Sequence, residues 1–309
     1  MAVTITHVSG VPGGSGPDGG ASSSGPRAGR SGVPYLLLLP GLAWLGVFFV
    51  VPILTLFGTS LQTKVDGGGV GDYEQTFRFA NYLDAFGAAD VQFGRALLYA
   101  GAATVLALLI GYPLAYMIAF KAGQWRNVLL VLVVAPFFTS FLLRTVAWRQ
   151  ILAEDGPVTP TLKWLHILPA DYAVTASALA VITGLTYNFL PFMTLPLYAS
   201  IERIDTRLLE AGSDLYGRPL VVLRKVTLPL SMPGIVSGTL LTFIPAAGDY
   251  VNATLLGNRN TTMVGNVIES RFFRFVDYPT AAALSFLLML AILLLVTVYI
   301  RRSGTEDLV

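Results

Sequence analysis

Asp249, Tyr250 and Asn252 stand close together in an otherwise apolar stretch of the chain. A carboxylate beside an aromatic ring and an amide oxygen can hold an ammonium group, because the ring face and both kinds of oxygen attract a cation. An ionisable group at membrane depth is costly, so it is a functional hypothesis by default. The alternative for Asp249 is local, since its carboxylate can also cap a new helical turn after Gly248.

Tyr187 and Asn188 form a second polar pair, just before Pro191 in another apolar stretch. Two roles fit these side chains. They either line a solute pathway or form hydrogen bonds to a neighbouring helix, which is the common role of amide and hydroxyl groups inside membrane bundles.

Side chains that carry covalent, metal or redox chemistry are scarce. The chain has no cysteine and only two histidines, His7 and His166. A thiolate metal site and a cysteine nucleophile are therefore excluded, and no serine, histidine and aspartate arrangement is indicated. We predict that the chain binds no metal and no cofactor, and that it is not an enzyme.

The composition indicates that lipid surrounds much of the chain. Its 309 residues are 54% hydrophobic and 12% charged, and the mean hydropathy is +0.66. The 20 basic residues nearly balance the 18 acidic residues, which argues against a nucleic-acid partner. We predict an all-α integral membrane protein.

Six stretches are long and apolar enough to cross a bilayer, which takes about 20 residues of helix. The third is the least regular, because Arg144 and Arg149 follow its apolar part; we expect Arg144 to reach the membrane interface and contact lipid headgroups. Internal prolines favour a packed bundle with a cavity. The stretches are residues 35–61, 93–120, 128–152, 173–198, 231–256 and 280–300.

The regions outside the spans predict the topology. Residues 1–33 are rich in Gly, Ser and Pro and are predicted to be a disordered tail, residues 34–302 to be the membrane domain, and residues 303–309 to be a second tail. Six spans place both termini on one side. The short loop 121–127 carries two basic residues and no acid, which favours a cytoplasmic location for this loop and for both termini.

Residues 203–230 concentrate acids, bases, glycines and prolines in one loop of this apolar chain. Asp205 is a candidate N-cap of a short helix. Gly, Arg and Pro at 217–219 predict its end, and a second short helix is predicted over residues 220–226. Such an element either lies on the lipid surface or docks on a partner. The apolar positions of the first helix share one face: Leu208, Ala211 or Gly212, and Leu215.

This loop resembles the EAA motif of binding-protein-dependent ABC importer permeases. Glu210, Ala211 and Gly212 stand where the motif has Glu-Ala-Ala, and Leu-Pro at 228–229 matches its ending. Gly212 replaces an alanine, and Tyr216 takes the place of the motif glycine. The resemblance implies that the loop couples the membrane domain to an ATPase subunit through Glu210, Ala211, Gly212, Asp214, Gly217, Arg218, Leu228 and Pro229.

Longer segments, residues 140–156, 187–205 and 246–272, resemble the permeases of spermidine/putrescine importers. The resemblance covers nearly all of residues 34–300. It implies a type I importer permease fold in the bacterial inner membrane. It also implies four kinds of partner: a second homologous permease, two copies of a cytoplasmic ATPase that holds ATP and Mg, a periplasmic or lipid-anchored solute-binding protein, and membrane lipid. Arg144 and Arg149, which would repel a polyamine, are then further candidates to contact an outer-loop acid or that binding protein.

The chain lacks a phosphate-binding loop of its own. Residues 25–31 come nearest to the pattern, but their spacing is wrong and they contain no lysine. ATP hydrolysis is therefore expected in a separate polypeptide. The alternative is an ATP-independent carrier or channel for small cations, for which uptake would persist without any ATPase.

Overall fold

A computed structural model describes residues 33–302, except 168, 170 and 171. Residues 1–32 and 303–309, most of the two predicted tails, lie outside the described residues. Val33, which was assigned to the first tail, already belongs to a helix. The helices in chain order are α1 (Val33–Leu45), α2 (Val51–Ser60), α3 (Ala80–Phe120), α4 (Arg126–Val134), α5 (Phe141–Ile151), α6 (Val158–Trp164), α7 (Ala178–Glu202), α8 (Thr206–Tyr216), α9 (Pro219–Val222), α10 (Leu228–Leu230), α11 (Met232–Ala247), α12 (Val251–Leu256), α13 (Val264–Phe273) and α14 (Tyr278–Arg302).

The chain divides into two units at Pro52. The described part of the N-terminal unit consists of α1, a π-helical turn (Gly46–Val50) and the start of α2. The rings of Trp44 and Phe48 contact each other with centroids 4.2 Å apart. Large apolar side chains of this segment, such as Leu42 and Phe49, are exposed, which suits a helix in lipid.

Helices α3, α7, α11 and α14 form the core of the larger unit. Small side chains on α3 let its neighbours approach closely, as is usual between membrane helices. Met193 of α7 is fully buried between two glycines. A Cβ added at Gly111 of α3 would lie 3.3 Å from Met193 Cγ, and one added at Gly238 of α11 would lie 2.9 Å from Met193 Sδ, so both distances are shorter than an ordinary contact. The fully buried residues of α3 include Ala96, Ala100, Ala103, Ala107 and Ala115.

Four described helical stretches qualify as membrane spans on their own, and six do if each of two bent helix pairs is one span. The larger count meets the predicted number, but its fifth span is the pair Pro219–Leu230 and Met232–Ala247, bent by 70°, and not residues 231–256. The second span also starts earlier than predicted, since α3 begins at Ala80, before residue 93. A kink at Ala89 (φ −136°, ψ 15°) separates this more polar first part from the apolar remainder.

The prediction of the third span as one helix is wrong. A 3₁₀ turn (Ala135–Phe138) follows α4, and Thr139 is extended with φ −108° and ψ 150°. The helices before and after this break are bent by 99°. The apolar pattern continues through the break, but Pro136 cannot donate a backbone hydrogen bond and Ser140 takes the extended conformation of a residue that precedes a helix.

The fifth predicted span, residues 231–256, is also broken. Helix α11 ends at Ala247, and α12 begins at Val251. Pro245 lies in the last turn of α11, and Gly248 ends it. The alternative role of Asp249, the capping of a new helical turn after Gly248, anticipated a break at this position.

A β-hairpin and the loop before α14 mark one end of the larger unit. Strand β1 (Gln62–Lys64) pairs antiparallel with β2 (Tyr73–Gln75). The Tyr73 hydroxyl donates to the backbone oxygen of Val276 at 2.5 Å. Burial raises the pKa of the Tyr73 phenol, and the nearby Asp277 carboxylate raises it further, so the hydroxyl keeps its donor proton. We call this end, from which α14 starts, the hairpin end.

Candidate solute pathway and coupling segment

Residues 203–230, which we call the coupling segment, lie at the opposite end, after α7. The Asp205 carboxylate accepts a hydrogen bond from the backbone N–H of Arg207 at 2.9 Å, so Asp205 caps α8 as predicted. Gly217 ends α8 in the left-handed region with φ 64°. This conformation suits glycine, which has no Cβ to clash with the following carbonyl.

The second half of the coupling segment is longer than predicted. The predicted helix over residues 220–226 begins one residue earlier, at Pro219, which suits the first helical position because that N–H needs no partner. It does not end at Val226, since a π-helical turn (Leu223–Thr227) leads directly into α10.

Gly212 is the contact point between the two halves of the coupling segment. It is buried, and a Cβ added there would lie 3.2 Å from Val226 Cγ2 and 3.3 Å from Val222 Cγ1. The Lys225 ammonium lies 4.6 Å from the ring centroid of Tyr216, which adds a cation–π contact between the same halves. The two helices therefore form one bent element.

The outer surface of the coupling segment is exposed. Leu215 and Leu220 are each 78% exposed, and Leu208 is 49% exposed. Only Gly212 among the predicted coupling residues packs inside the element. The others are exposed: Glu210, Ala211, Asp214, Gly217, Arg218, Leu228 and Pro229.

Three of the predicted pathway residues meet in one buried hydrogen-bond network. Asp249 Oδ1 accepts from the backbone N–H of Asn252 at 2.7 Å, beside the start of α12. Asn188 Nδ2 donates to Asn252 Oδ1 at 3.1 Å and to Thr145 Oγ1 at 3.2 Å. Since all four residues are at most 8% exposed, the network joins α5, α7 and α12 out of contact with solvent.

Two polar atoms of this network have no hydrogen-bond partner among the residues that the structure describes. Asn188 Oδ1 and Asn252 Nδ2 are buried without a hydrogen bond. The Thr145 hydroxyl donates to the Phe141 carbonyl, so it must accept from Asn188 Nδ2. Turning both amides over would set Asn188 Oδ1 against the Thr145 hydroxyl oxygen, and both would be acceptors, so the orientation shown is the one that fits. The network therefore retains one donor and one acceptor that a further polar group can satisfy.

The other two pathway candidates lie outside this network. The Tyr187 ring packs edge-on against Trp148 with centroids 5.3 Å apart. Tyr250 is 46% exposed, and its backbone oxygen accepts from Asn266 Nδ2 at 2.9 Å. Asp249 and Tyr250, adjacent in sequence, thus differ in environment.

Sequence analysis missed Thr145 and misplaced Arg144. Thr145 lies in a mixed polar and apolar run with no distinguishing spacing, so only the packing of α5 against α7 reveals its role. Arg144 was expected to reach the headgroups, but its Nε and Nη1 atoms are buried and have no partner within the described part of the chain. Its guanidinium carbon lies 5.6 Å from the ring centroid of Phe141, which stands three positions earlier on the same helix.

Nothing in the described residues forms a metal site: they contain no group of three or more His, Asp or Glu side chains placed to hold an ion. The chemistry of this region is hydrogen bonding and charge, which suits the passage of a polar solute.

Comparison with curated proteins identifies the family. The chain is 39% identical over 262 residues to the spermidine/putrescine transport system permease protein PotB of Haemophilus influenzae, covering 84% of this chain and 91% of that protein. The chain belongs to the spermidine/putrescine ABC transport permease family. The permease is also 35% identical to PotB of Escherichia coli, over 85% of this chain and 94% of that protein. No protein-family model matches the chain.

Further similarities agree with this family. The inner membrane ABC transporter permease protein YdcU of Escherichia coli is 31% identical and covers 88% of the permease. A crystal structure of a bacterial ABC transporter that imports the acidic polysaccharide alginate shares the fold, with a TM-score of 0.67 at 18% identity, over 90% of this chain and 97% of that chain. The permease is thus a multi-pass inner-membrane subunit with the type I importer fold, and the ATPase activity of its transporter belongs to a separate subunit.

Proposed function

We propose that this permease moves spermidine, putrescine or a related small solute across the inner membrane by alternating access, driven by ATP hydrolysis in a separate ATPase subunit. The observation that carries the substrate class is the identity of 39% and 35% to two permeases named for spermidine and putrescine, over most of the chain. Closure of the ATPase would displace the coupling segment and shift the helices between outward and inward access.

The exposed face of the coupling segment supports its role as the ATPase contact. Leu215 and Leu220 are large apolar side chains with 78% exposure each. Full burial of such a side chain contributes about 1.5–3 kcal/mol, so a groove on a partner is a favourable place for them. Glu210 and Arg218 lie exposed on the same element and can fix the orientation of docking.

The hydrogen-bond network supports a solute contact. Asp249 supplies a carboxylate, and Asn188 Oδ1 is a buried acceptor without a partner. Ammonium groups have only donors to offer, so both oxygens suit them. Tyr187 and Tyr250, each next in sequence to a residue of the network, would add aromatic faces, and Asn252 connects the network to α12.

The proposed assembly contains a second homologous permease, two copies of a cytoplasmic ATPase that binds ATP and Mg, and a periplasmic or lipid-anchored binding protein. A solved alginate transporter with a TM-score of 0.62 contains a periplasmic protein bound to an alginate pentasaccharide. We further propose that residues 33–302 form the membrane domain and that both termini are cytoplasmic. Residues 1–32 and 303–309 would then be cytoplasmic tails.

Reconstitution of the whole transporter tests the proposal. The two permeases and the ATPase are placed in liposomes, the binding protein is added outside, and uptake of radiolabelled spermidine and putrescine is measured with and without ATP inside. We expect ATP-dependent uptake of at least one of these amines and ATPase stimulation by the loaded binding protein. Glutamate, which carries a net negative charge, is the matched solute that should not be taken up.

Two results would contradict the proposal. Polyamine uptake at full rate without ATP or without the ATPase would support an ATP-independent carrier or channel. ATP-dependent uptake of glutamate in preference to both amines would show that the substrate class is wrong while the coupling mechanism is right.

A further inference from the structure

An ion pair joins two distant parts of the chain at the end of the bundle that carries the coupling segment. Arg126 Nη2 donates to Glu202 Oε1, although the residues are 76 positions apart. The Arg126 guanidinium also lies 5.2 Å from the ring centroid of Tyr198. The other three ion pairs between described side chains join residues only six to nine positions apart. This pair alone among them connects separate parts of the fold.

Glu202 lies where α7 passes into the coupling segment. It is the last residue of α7, and Asp205 caps α8 only three residues later. The turn between them is held by the backbone N–H of Ile204, which donates to Ile201 at 3.1 Å, and by the burial of the Ile204 side chain. A displacement of α8 therefore moves Glu202 as well.

Arg126 is the first residue of α4, on the near side of the 99° bend. On the far side of the bend, α5 carries Thr145, which accepts a hydrogen bond from Asn188 of α7. Polar contacts thus join the bent pair α4 and α5 to α7 at two levels, in addition to ring contacts such as that of Trp148 with Tyr187. One polar contact is the ion pair beside the coupling segment, and the other is the buried network that holds the candidate pathway residues.

We propose that Arg126 and Glu202 are positioning residues for coupling. Their ion pair joins α4 to the end of α7, where the coupling segment begins. A displacement of the coupling segment then reaches the buried network through α4 and α5 as well as through α7. The inference rests on the proposed coupling role of residues 203–230. Both side chains are more than one third exposed, 38% and 39%. An exposed ion pair contributes little to the free energy of unfolding. A large loss of coupling in its variants would therefore reflect the transmission of movement and not a loss of stability.

The test is a charge reversal and exchange in the complete reconstituted transporter. The variants are Arg126→Glu, Glu202→Arg and the double exchange, and the measured quantity is the amount of solute taken up per ATP hydrolysed. We expect each single reversal to lower this ratio at least tenfold with an unchanged unfolding temperature, because like charges then push α4 from the end of α7. The double exchange should restore at least half of the wild-type ratio.

Two further variants complete the test: one is conservative at Glu202, and the other is a control at a different exposed ion pair. Glu202→Gln keeps the shape of the side chain and removes its charge, so it should lower the ratio about threefold even if the reversals prevent assembly. Arg78→Asp breaks the exposed ion pair with Asp84, which joins neighbouring positions at the hairpin end, and should leave the ratio unchanged.

The outcomes separate this inference from the proposed function. A wild-type transporter whose uptake is not coupled to ATP would overturn both. A coupled wild type with unchanged ratios in Glu202→Gln and in the reversals that assemble, or with a double exchange no better than either single reversal, would overturn the positioning role alone.

Discussion

At the residue scale, the Asp249 carboxylate forms a structural hydrogen bond and also offers a negative charge that can attract a cation. Its carboxylate accepts from the backbone N–H of Asn252, which is the local capping role that the sequence offered as an alternative. The same carboxylate is only 8% exposed and lies in a network with an unpaired acceptor on Asn188. Capping needs an oxygen atom, whereas attraction of a cation needs the charge. The two roles can therefore be separated by substitution.

Asp249→Asn should keep the cap and lose the charge. An amide oxygen still accepts from Asn252, so the unfolding temperature in detergent should stay near that of the wild type. Uptake of spermidine at low concentration should fall at least tenfold, because about 1.4 kcal/mol of lost cation binding corresponds to a factor of ten. Asp249→Ala is the control for the cap and should lower stability by about 1 kcal/mol. Normal uptake by Asp249→Asn would assign the residue to capping alone.

At the element scale, the coupling segment depends on the left-handed conformation of Gly217, the residue that ends α8. Gly217 has φ 64°, and its N–H donates to the Ser213 carbonyl at 2.7 Å. Proline fixes φ near −65° and has no N–H, so it cannot form this end.

The bundle itself contains a different constraint at Gly234 of α11, where a Cβ would lie 2.5 Å from Ser200 Cβ and 2.8 Å from the Pro196 carbonyl oxygen.

Gly217→Pro should abolish ATP-driven uptake without preventing membrane insertion, because the change alters only the exposed coupling segment. Uptake and the amount of permease in membrane fractions are measured together. Gly217→Asn is the control, since asparagine adopts the left-handed region more readily than other residues, and it should retain most of the uptake. Transport by Gly217→Pro at the wild-type rate would argue against coupling through this segment.

Gly234→Ala should destabilise the bundle, because the added methyl group forces α7 and α11 apart against a backbone carbonyl. Such overpacking costs about 1–3 kcal/mol. Thermal unfolding of the purified permease in detergent measures the change. Gly101→Ala in α3 is the matched control, since nothing lies within 4 Å of the new Cβ. Equal unfolding temperatures for the two variants would mean that the crossing is looser than the structure shows.

At the scale of the whole molecule, the structure shows which loops of the larger unit share an end of the bundle. The pairing of Arg126 with Glu202 places the loop 121–125 beside the coupling segment. The bond between Tyr73 and Val276 places the hairpin beside the loop before α14. Because α14 starts at the hairpin end, it runs toward the end that carries the coupling segment. The proposed topology therefore puts the hairpin outside.

The absence of cysteine makes this topology directly testable. Glu74→Cys in the hairpin and Gln124→Cys beside the coupling segment both place a thiol at an exposed position. A membrane-impermeant maleimide applied to intact spheroplasts should label the first variant and leave the second unlabelled until the membrane is permeabilised. Labelling of Gln124→Cys in intact spheroplasts would reverse the orientation.

The sequence by itself determined the features that depend on local chemistry. Apolar stretches predicted the spans, because lipid requires long runs of apolar helix. Asp205 and Gly217 predicted the limits of α8, because capping and the left-handed region select those residue types. Asp249 was recognised because a carboxylate is rare in such surroundings. Each of these signals lies within a few consecutive residues.

Only the tertiary structure decided how distant residues meet. The 99° bend between α4 and α5 was hidden by an apolar pattern that continues through it. Thr145 and Asn188 are 43 positions apart, and Arg126 and Glu202 are 76 apart, so no local spacing could pair them. Helix packing selects these partners, since it depends on the shapes of whole faces and on close approaches such as that at Gly234.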